Sequence, residues 1–518
     1  MLHNILILSE TLFFIYTSYL AGDVFFTLTR MRSFSPRERS VYAILMGLGI
    51  FALTGFLLGL TGALNAFSLR AFIITIIAVS RTTIASHLRA FKAYSAHPLA
   101  QGASTLKNLF HEYPALKIIL VLWLASNFIF AFVPITGHDT KSTHLPIIME
   151  MVEQGAFNFS SVIPQYHWMP LFTEILYAIP IIAFSNTGDP FVFQILQYST
   201  LLPLLMIIYN FLSRRTGQKV WALIAIVGIL AITDFQRELL HGGYIDVFVY
   251  LFGIASALLV IDTCEDGSFD SKTLSLSALF LGFGLSMKQT AGVIAIIIYL
   301  FLSIGFLRHR VRPSRIFIIL IKYSSLVFII AGFWYIRNTV VFGSPFYLGG
   351  QTFAETMVSE RTILNFFLFP FYKFAIISPQ DSSSRFVVLG YFIISYALAA
   401  FFLLFHRKMI TLSALFLFIF VQIHLALVFS ISHHTRYFIP ALIILPPFIA
   451  LLMDRWYRVL RAYLQEHTYA TLWHGSLICA HLIFIILLIG NIRYFHVKFL
   501  YKIGVLTEAE YIKQIGSQ

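Results

Sequence analysis

The sequence predicts an all-α polytopic membrane protein of roughly fourteen transmembrane helices, with juxtamembrane helices in two long outer loops. Three observations predict it. Of 518 residues, 58% are apolar and 11% charged, with a mean hydropathy of +0.83, outside the range of soluble domains. Apolar runs of about 17–25 residues recur from end to end, each able to cross ~30 Å of hydrocarbon. The Lys and Arg behind the net charge of +13 sit in short clusters between those runs, where they orient spans and meet anionic lipid rather than nucleic acid.

Taken in order, Ile5–Leu28 reads as a retained span, because no basic region precedes its apolar run as in a cleaved signal. Basic segments at 30–39, 81–117, 213–219, 308–315, 406–408 and 454–461 mark the cytoplasmic side. Spans threaded between them fall near 5–28, 42–62, 65–86, 116–134, 191–212, 219–235, 246–262, 274–287, 290–307, 316–334, 386–405, 410–431, 437–453 and 473–490, with both termini outside. Cys264 and Cys479 lie far apart, in or beside spans, and suggest neither a disulfide framework nor a zinc site.

This threading leaves 135–190 and 335–385 as long outer loops. The run 170–185 carries Glu174 and Pro180 and is too short and interrupted for a span. It reads as an amphipathic juxtamembrane helix lying in the outer interface, as does 362–377. Long loops held by a rigid scaffold are where chemistry is expected.

The ionisable residues beside the spans gather on that outer face, where such groups are costly and tend to be functional. The first loop supplies His138, Asp139, Lys141, His144, Gln165, His167 and Glu174. Other span ends add Asp234, Arg237, Glu238, His241, Asp246, Lys288, Arg337, His433, His434, Arg436 and Tyr437. Several have ordinary roles available. Asp246 follows Gly242-Gly243 and can cap a helix. Arg436 can anchor a span to headgroups. His144 and His167 read individually as structural, and Lys141, Glu150 and Glu153 as the wet face of a short helix. Lys288 lies among apolar and small residues and calls for an anionic partner. Asp139 follows Pro134 and Gly137 and reads as lying outside any helix, held at a cavity rim.

Carboxylates with Lys and Arg at an outer interface suit an anionic, lipid-linked substrate. Cations hold a phosphate by charge-assisted hydrogen bonds, and a carboxylate can take a proton from an attacking hydroxyl. There is no Gly-rich phosphate loop for soluble nucleotide-sugar chemistry. No cofactor is called for. A divalent metal on His and Asp stays open, although no HxxxH or HxH spacing supports it.

The segment GHDTKSTHLPIIMEMVEQGAF (137–157) resembles the first outer loop of polyprenyl-phosphate-dependent glycosyltransferases of the GT-C superfamily. The nearest branch holds the protein mannosyltransferases, the lipid A aminoarabinose transferase and the rhizobial lipopolysaccharide-core transferases. Further segments follow in the family's order over residues 132–450: YHWMPLFTEIL, GGYIDVFVYLF, GFGLSMKQTAGV, WYIRNTVVFGSPFY and TRYFIPALIIL. The resemblance implies a GT-C-type bundle in the cell (inner) membrane, with its site facing the periplasm or exterior. It implies inverting transfer of a sugar from a polyprenyl-phosphate donor to a glycan, lipid or protein acceptor. Asp139 matches the first-loop catalytic Asp and general base, and Asp246 the second-loop Asp. Lys288, Arg337 and Arg436 fall in segments whose basic residues serve the donor phosphate, and His138, His144, His167, His433, His434 and Tyr437 join the substrate-binding set.

In this reading 116–453 is the catalytic membrane module, 1–115 holds extra N-terminal spans, and 454–518 holds a basic loop, a last span and a short outer tail. The chain departs from the family at Trp168 and Met169, where a cation and a second Pro are common, and at Ser142-Thr143, which replace an aromatic. Aminoarabinose transfer is disfavoured by these changes. Two other readings remain: a transporter or flippase of lipid-linked glycans, which would use midplane charges and broken helices, and a polymerase or ligase acting on undecaprenyl-diphosphate glycans. The outer-face charges and the lack of an inverted repeat weigh against the first.

Overall fold

The computed structural model describes residues 2–96, 113–132, 139–159, 168–184, 191–232, 245–347, 382–431 and 435–464, apart from 32, 33 and 158, together with a few isolated positions. The described residues are all-helical, with no strand. Among the described residues eight helices are long and apolar enough to cross a membrane, nine if one pair bent by 69° is counted as a single span. This is the architecture of a multi-pass membrane protein. The chain divides into two compact units, Met1–Ser160 with Phe172–Met206, and Ser161–Leu171 with Ile207–Gln518.

In the first unit, α1 (Leu2–Leu28) and α2 (Pro36–Leu60) form a hairpin. Ser35 starts α2 with a reciprocal capping box to Glu38, and Pro36 fills the first helical position, where a missing N–H costs nothing. The two helices touch backbone to backbone. A Cβ on Gly22 would lie 1.9 Å from the Ala43 carbonyl oxygen, and one on Gly47 1.6 Å from that of Ser18. Such small-residue contacts let helices approach without a hydrophobic drive between them. Gly47→Leu is therefore expected to cost at least about 1–3 kcal/mol by overpacking, read as a fall in the unfolding midpoint of the purified protein. At one end of the hairpin Arg39 pairs with Asp23 at 2.8 Å, and Thr83 donates to the same carboxylate at 3.1 Å.

The apolar helix α3 (Ala66–Val79) stops short of the expected 65–86 span. At Ser80 the chain bends by 69° into α4 (Arg81–Ala96). Arg81, Thr82 and Thr83 end the apolar run there, and α4 is exposed along most of its length.

After α5 (Pro114–Phe130) and a π-helical turn (Thr140–His144) comes α6 (Leu145–Gln154), closed by Gly155 at φ +62°. Backbone bonds from Leu64 to Gly155 (3.0 Å) and from Phe157 to Gly59 (3.2 Å) pin its end to the α2–α3 turn.

The next helix corrects an expectation. Helix α7 (Phe172–Phe184) does not present an amphipathic face: every residue from Phe172 to Ala183 is buried. It packs against α1, α2, α3 and α6. The acid that made it look amphipathic meets His144 inside protein, as described below. At 13 residues it spans about 20 Å, too short to cross alone. If 170–185 stays on one side, cysteines placed at Ser185 and Asn186 should react with an impermeant thiol reagent from outside; labelling only from the cytoplasm would overturn that topology.

Helix α8 (Phe191–Thr216) belongs to both units and leads to α9 (Lys219–Leu230). The second unit is built around α10 (Asp246–Asp266), buried along nearly its whole length. Packed on it are α11 (Ser271–Met287), α12 (Ala291–Arg308), α15 (Leu412–Ile431) and α16 (Ile439–Tyr463), while α13 (Pro313–Phe342) packs on α11 and α14 (Ser382–Phe405) on α16. Ser256, Ser277 and Tyr323 join α10, α11 and α13 through hydroxyl bonds of 2.8 and 2.9 Å, the polar glue of membrane bundles.

At one end of this unit the basic clusters expected to be topological signals are also structural ties. Arg214 pairs with Asp262 at 2.7 Å. Arg215 binds Asp262, Glu265 (3.0 Å) and Ser413 (2.6 Å), and Arg458 reaches the Thr216 carbonyl at 2.7 Å.

The expected fourteen crossings are not all met among the described residues. Helices α5, α9 and α11 have 17, 12 and 17 residues, and about 1.5 Å per residue leaves a 12-residue helix well short of ~30 Å. Residues 348–381, which include the expected helix 362–377, and the span at 473–490 lie outside the described residues, apart from position 475.

Candidate functional site

In the first unit, Asp139 does not lie outside helical structure as expected. Its backbone is right-handed helical (φ −59°, ψ −36°), and it leads straight into the π turn, closed by the Leu145 N–H on the Thr140 carbonyl. The half-buried Asp139 side chain makes no capping bond to that turn. The short helix beyond is two-faced as expected: Ile147, Ile148 and Met151 are buried, while Lys141 and Glu153 are exposed. Pi turns are rare and concentrate at functional sites.

The turn carries His144 inward. Its Nδ1 lies 2.8 Å from Oε1 of Glu174 on α7, and the two side chains are 6% and 0% exposed. The second oxygen, Oε2 of Glu174, is buried without a partner, as are the hydroxyls of Thr140 and Thr173. Unsatisfied buried polar atoms cost roughly 1–3 kcal/mol each, so these three, one on the turn and two on α7, call for an explanation.

The second unit gathers a different set, at the end of the bundle where α10, α12 and α16 begin and α11 and α13 finish. Asp246 does not cap α10. The N-cap is Ile245, and the Asp246 carboxylate instead takes the Lys288 ammonium at 2.6 Å, with the side chains 2% and 12% exposed. The anionic partner that Lys288 called for is thus a residue of the same chain. Lys288 also stands 5.1 Å from the centroid of the Tyr437 ring, over which the Arg436 guanidinium lies at 5.0 Å. Arg436 donates to the Tyr437 hydroxyl at 3.2 Å, and its own carbonyl accepts from Tyr250 at 2.7 Å. Two cations from separate elements therefore share one aromatic ring, each cation–π contact contributing about 0.5–2 kcal/mol.

Arg337 lies near the end of α13. It approaches Asn338 at 3.5 Å, and Asn338 donates to the Trp168 carbonyl at 2.9 Å. Gln289 donates to the same carbonyl at 3.4 Å and to that of Tyr347 at 3.3 Å. The stretch bearing Trp168 and Met169, itself part of the second unit, is thereby tied to the ends of α11 and α13.

Of the expected site residues, the structure brings together Asp246, Lys288, Arg436 and Tyr437. Asp139 and His144 belong to the first unit. His138, His167, His433 and His434 lie outside the described residues. Glu174, Gln289, Asn338 and Tyr250 complete these clusters and were not singled out as site residues. Glu174 carried a signal, an acid within the apolar run PLFTEIL; an amide or phenol in a span carries almost none. Among the described residues no three His, Cys, Asp or Glu side chains are grouped to hold a metal. Compared with protein-family models, with curated proteins and with solved structures, the chain has no match.

Proposed function

We propose that this protein is an integral membrane glycosyltransferase that moves a sugar from a polyprenyl-phosphate donor to a glycan, lipid or protein acceptor at the outer leaflet of the cell membrane, with inversion. The observation that carries the reading is the cluster on Tyr437, where Lys288 and Arg436 converge beside Asp246 at one end of an apolar bundle. A lipid phosphate suits such a place, its headgroup on charge-assisted donors and its chain along hydrocarbon. Asp246 holds Lys288 charged and aimed until the phosphate arrives, so the phosphate shares a cation already partly neutralised. Arg436 is then the principal donor, and its planar fork suits two phosphate oxygens.

Asp139 takes the proton of the acceptor hydroxyl as it attacks the anomeric carbon. The C–O bond to the phosphate breaks, and polyprenyl phosphate leaves with the bonding pair. The protein's own residues supply the base and the cationic clamp. Module 116–453 contains every residue used.

The test is release of polyprenyl phosphate by the purified protein in liposomes from a panel of polyprenyl-phosphate pentoses and hexoses, with acceptor glycolipids present. Release that depends on acceptor and is lost in Arg436→Gln supports the reading. Lipid movement across the bilayer with no bond cleaved would support a flippase instead.

A further inference from the structure

Three features stand outside the Tyr437 cluster: the ion-pair ties at Arg215, the exposed helix α4, and the buried acid–base pair of the first unit. The last carries most. His144 and Glu174 lie 30 residues apart, on a π turn and on a helix buried on all sides, and meet at 2.8 Å. A fastening of that turn to α7 needs no charge. Apolar side chains of similar size usually hold such a contact as well as or better than a buried ion pair. Glu174 Oε2 and the hydroxyls of Thr140 on the turn and Thr173 on α7 are also buried without partners, and the turn itself departs from α-helical bonding. Costs of this kind persist where geometry matters more than stability.

Glu174 is directional in a way that packing is not. A hydrogen bond to Nδ1 fixes the plane of the imidazole and, with it, the rotation of the turn about its axis. Asp139 stands at the head of that turn, one residue before its first π bond. An α-helical turn in place of the π turn would rotate the residues before it relative to α6, and the Asp139 carboxylate with them. We propose that His144 and Glu174 are positioning residues that lock the π turn and so aim Asp139. This rests on the reading of Asp139 as the general base.

The experiment reads position first and turnover second. In an otherwise cysteine-free protein carrying Asp139→Cys, the rate at which a small methanethiosulfonate reagent labels the introduced thiol is compared with and without the pair. His144→Leu with Glu174→Leu removes both hydrogen-bonding partners at once and should fold. His144→Phe, which keeps a ring but loses the bond to Glu174, serves in its place if the double variant does not. The labelling rate at position 139 is expected to change about tenfold in either, and His144→Asn, whose amide can donate from near the place of Nδ1, to restore it. With Asp139 intact, turnover of the donor panel should fall about tenfold to a hundredfold, as for a reacting group misplaced by an ångström, while KM for the donor holds. An unchanged labelling rate at that position in a folded variant overturns the proposal. Changed labelling together with wild-type turnover by Asp139→Asn would leave the pair a positioning device and remove Asp139 from catalysis, so the two ideas fail separately.

Discussion

Lys288→Met is expected to destabilise the protein by about 3–5 kcal/mol, because it strands the Asp246 carboxylate in a buried site. Asp246 is 2% exposed and its ammonium partner lies at 2.6 Å. Adding Asp246→Leu to Lys288→Met should recover most of that loss, since an apolar pair needs no compensation. A double-mutant cycle on the unfolding of the purified protein measures this directly, and the coupling energy should exceed about 1 kcal/mol, as for residues in one network. Lys288→Met with wild-type stability would mean the pair is not formed. The folded double variant also isolates the ligand role. Removing a charged hydrogen bond to a phosphate costs roughly 1.5–3 kcal/mol, so its affinity for polyprenyl phosphate should drop about tenfold to a hundredfold. Unchanged affinity there and in Arg436→Gln would mean that both cations are structural.

Asp139→Asn is expected to lower turnover by about 10²–10⁴-fold with the fold unchanged. The amide keeps the carboxylate's shape and one acceptor but cannot take a proton. Donor binding should stay near wild type, because Lys288 and Arg436, the cations proposed to hold the phosphate, are left unchanged. Turnover close to wild type would exclude Asp139 as the base.

The two clusters differed in how far they could be foreseen. Asp246, Lys288 and Arg436 stood out in the sequence because a charge inside an apolar stretch is costly wherever it lies. Their roles did not. Asp246 looked like a helix cap because an acid after two glycines at a span start fits that pattern, and the sequence cannot show that an ammonium 42 residues on reaches it first. Glu174 was noticed but misjudged. An acid in a short apolar run reads as the wet side of an interfacial helix unless its partner is known, and that partner, His144, comes from a separate element. The π turn was invisible, because it differs from an α turn by one residue of register and not by composition.

By itself the sequence determined that this is a multi-pass helical membrane protein, since apolar length and the scarcity of charge decide that before any packing occurs. It also determined which residues are chemically conspicuous. Tertiary structure alone decided which charges neutralise each other and which helices are buried rather than lipid-facing. It alone decided that Asp139 heads a helical turn fastened through His144 to Glu174. The physical reason is that burial and pairing are relations between distant segments: a side chain's cost depends on what surrounds it, and in this chain the surroundings of Asp246 and Glu174 come from other helices.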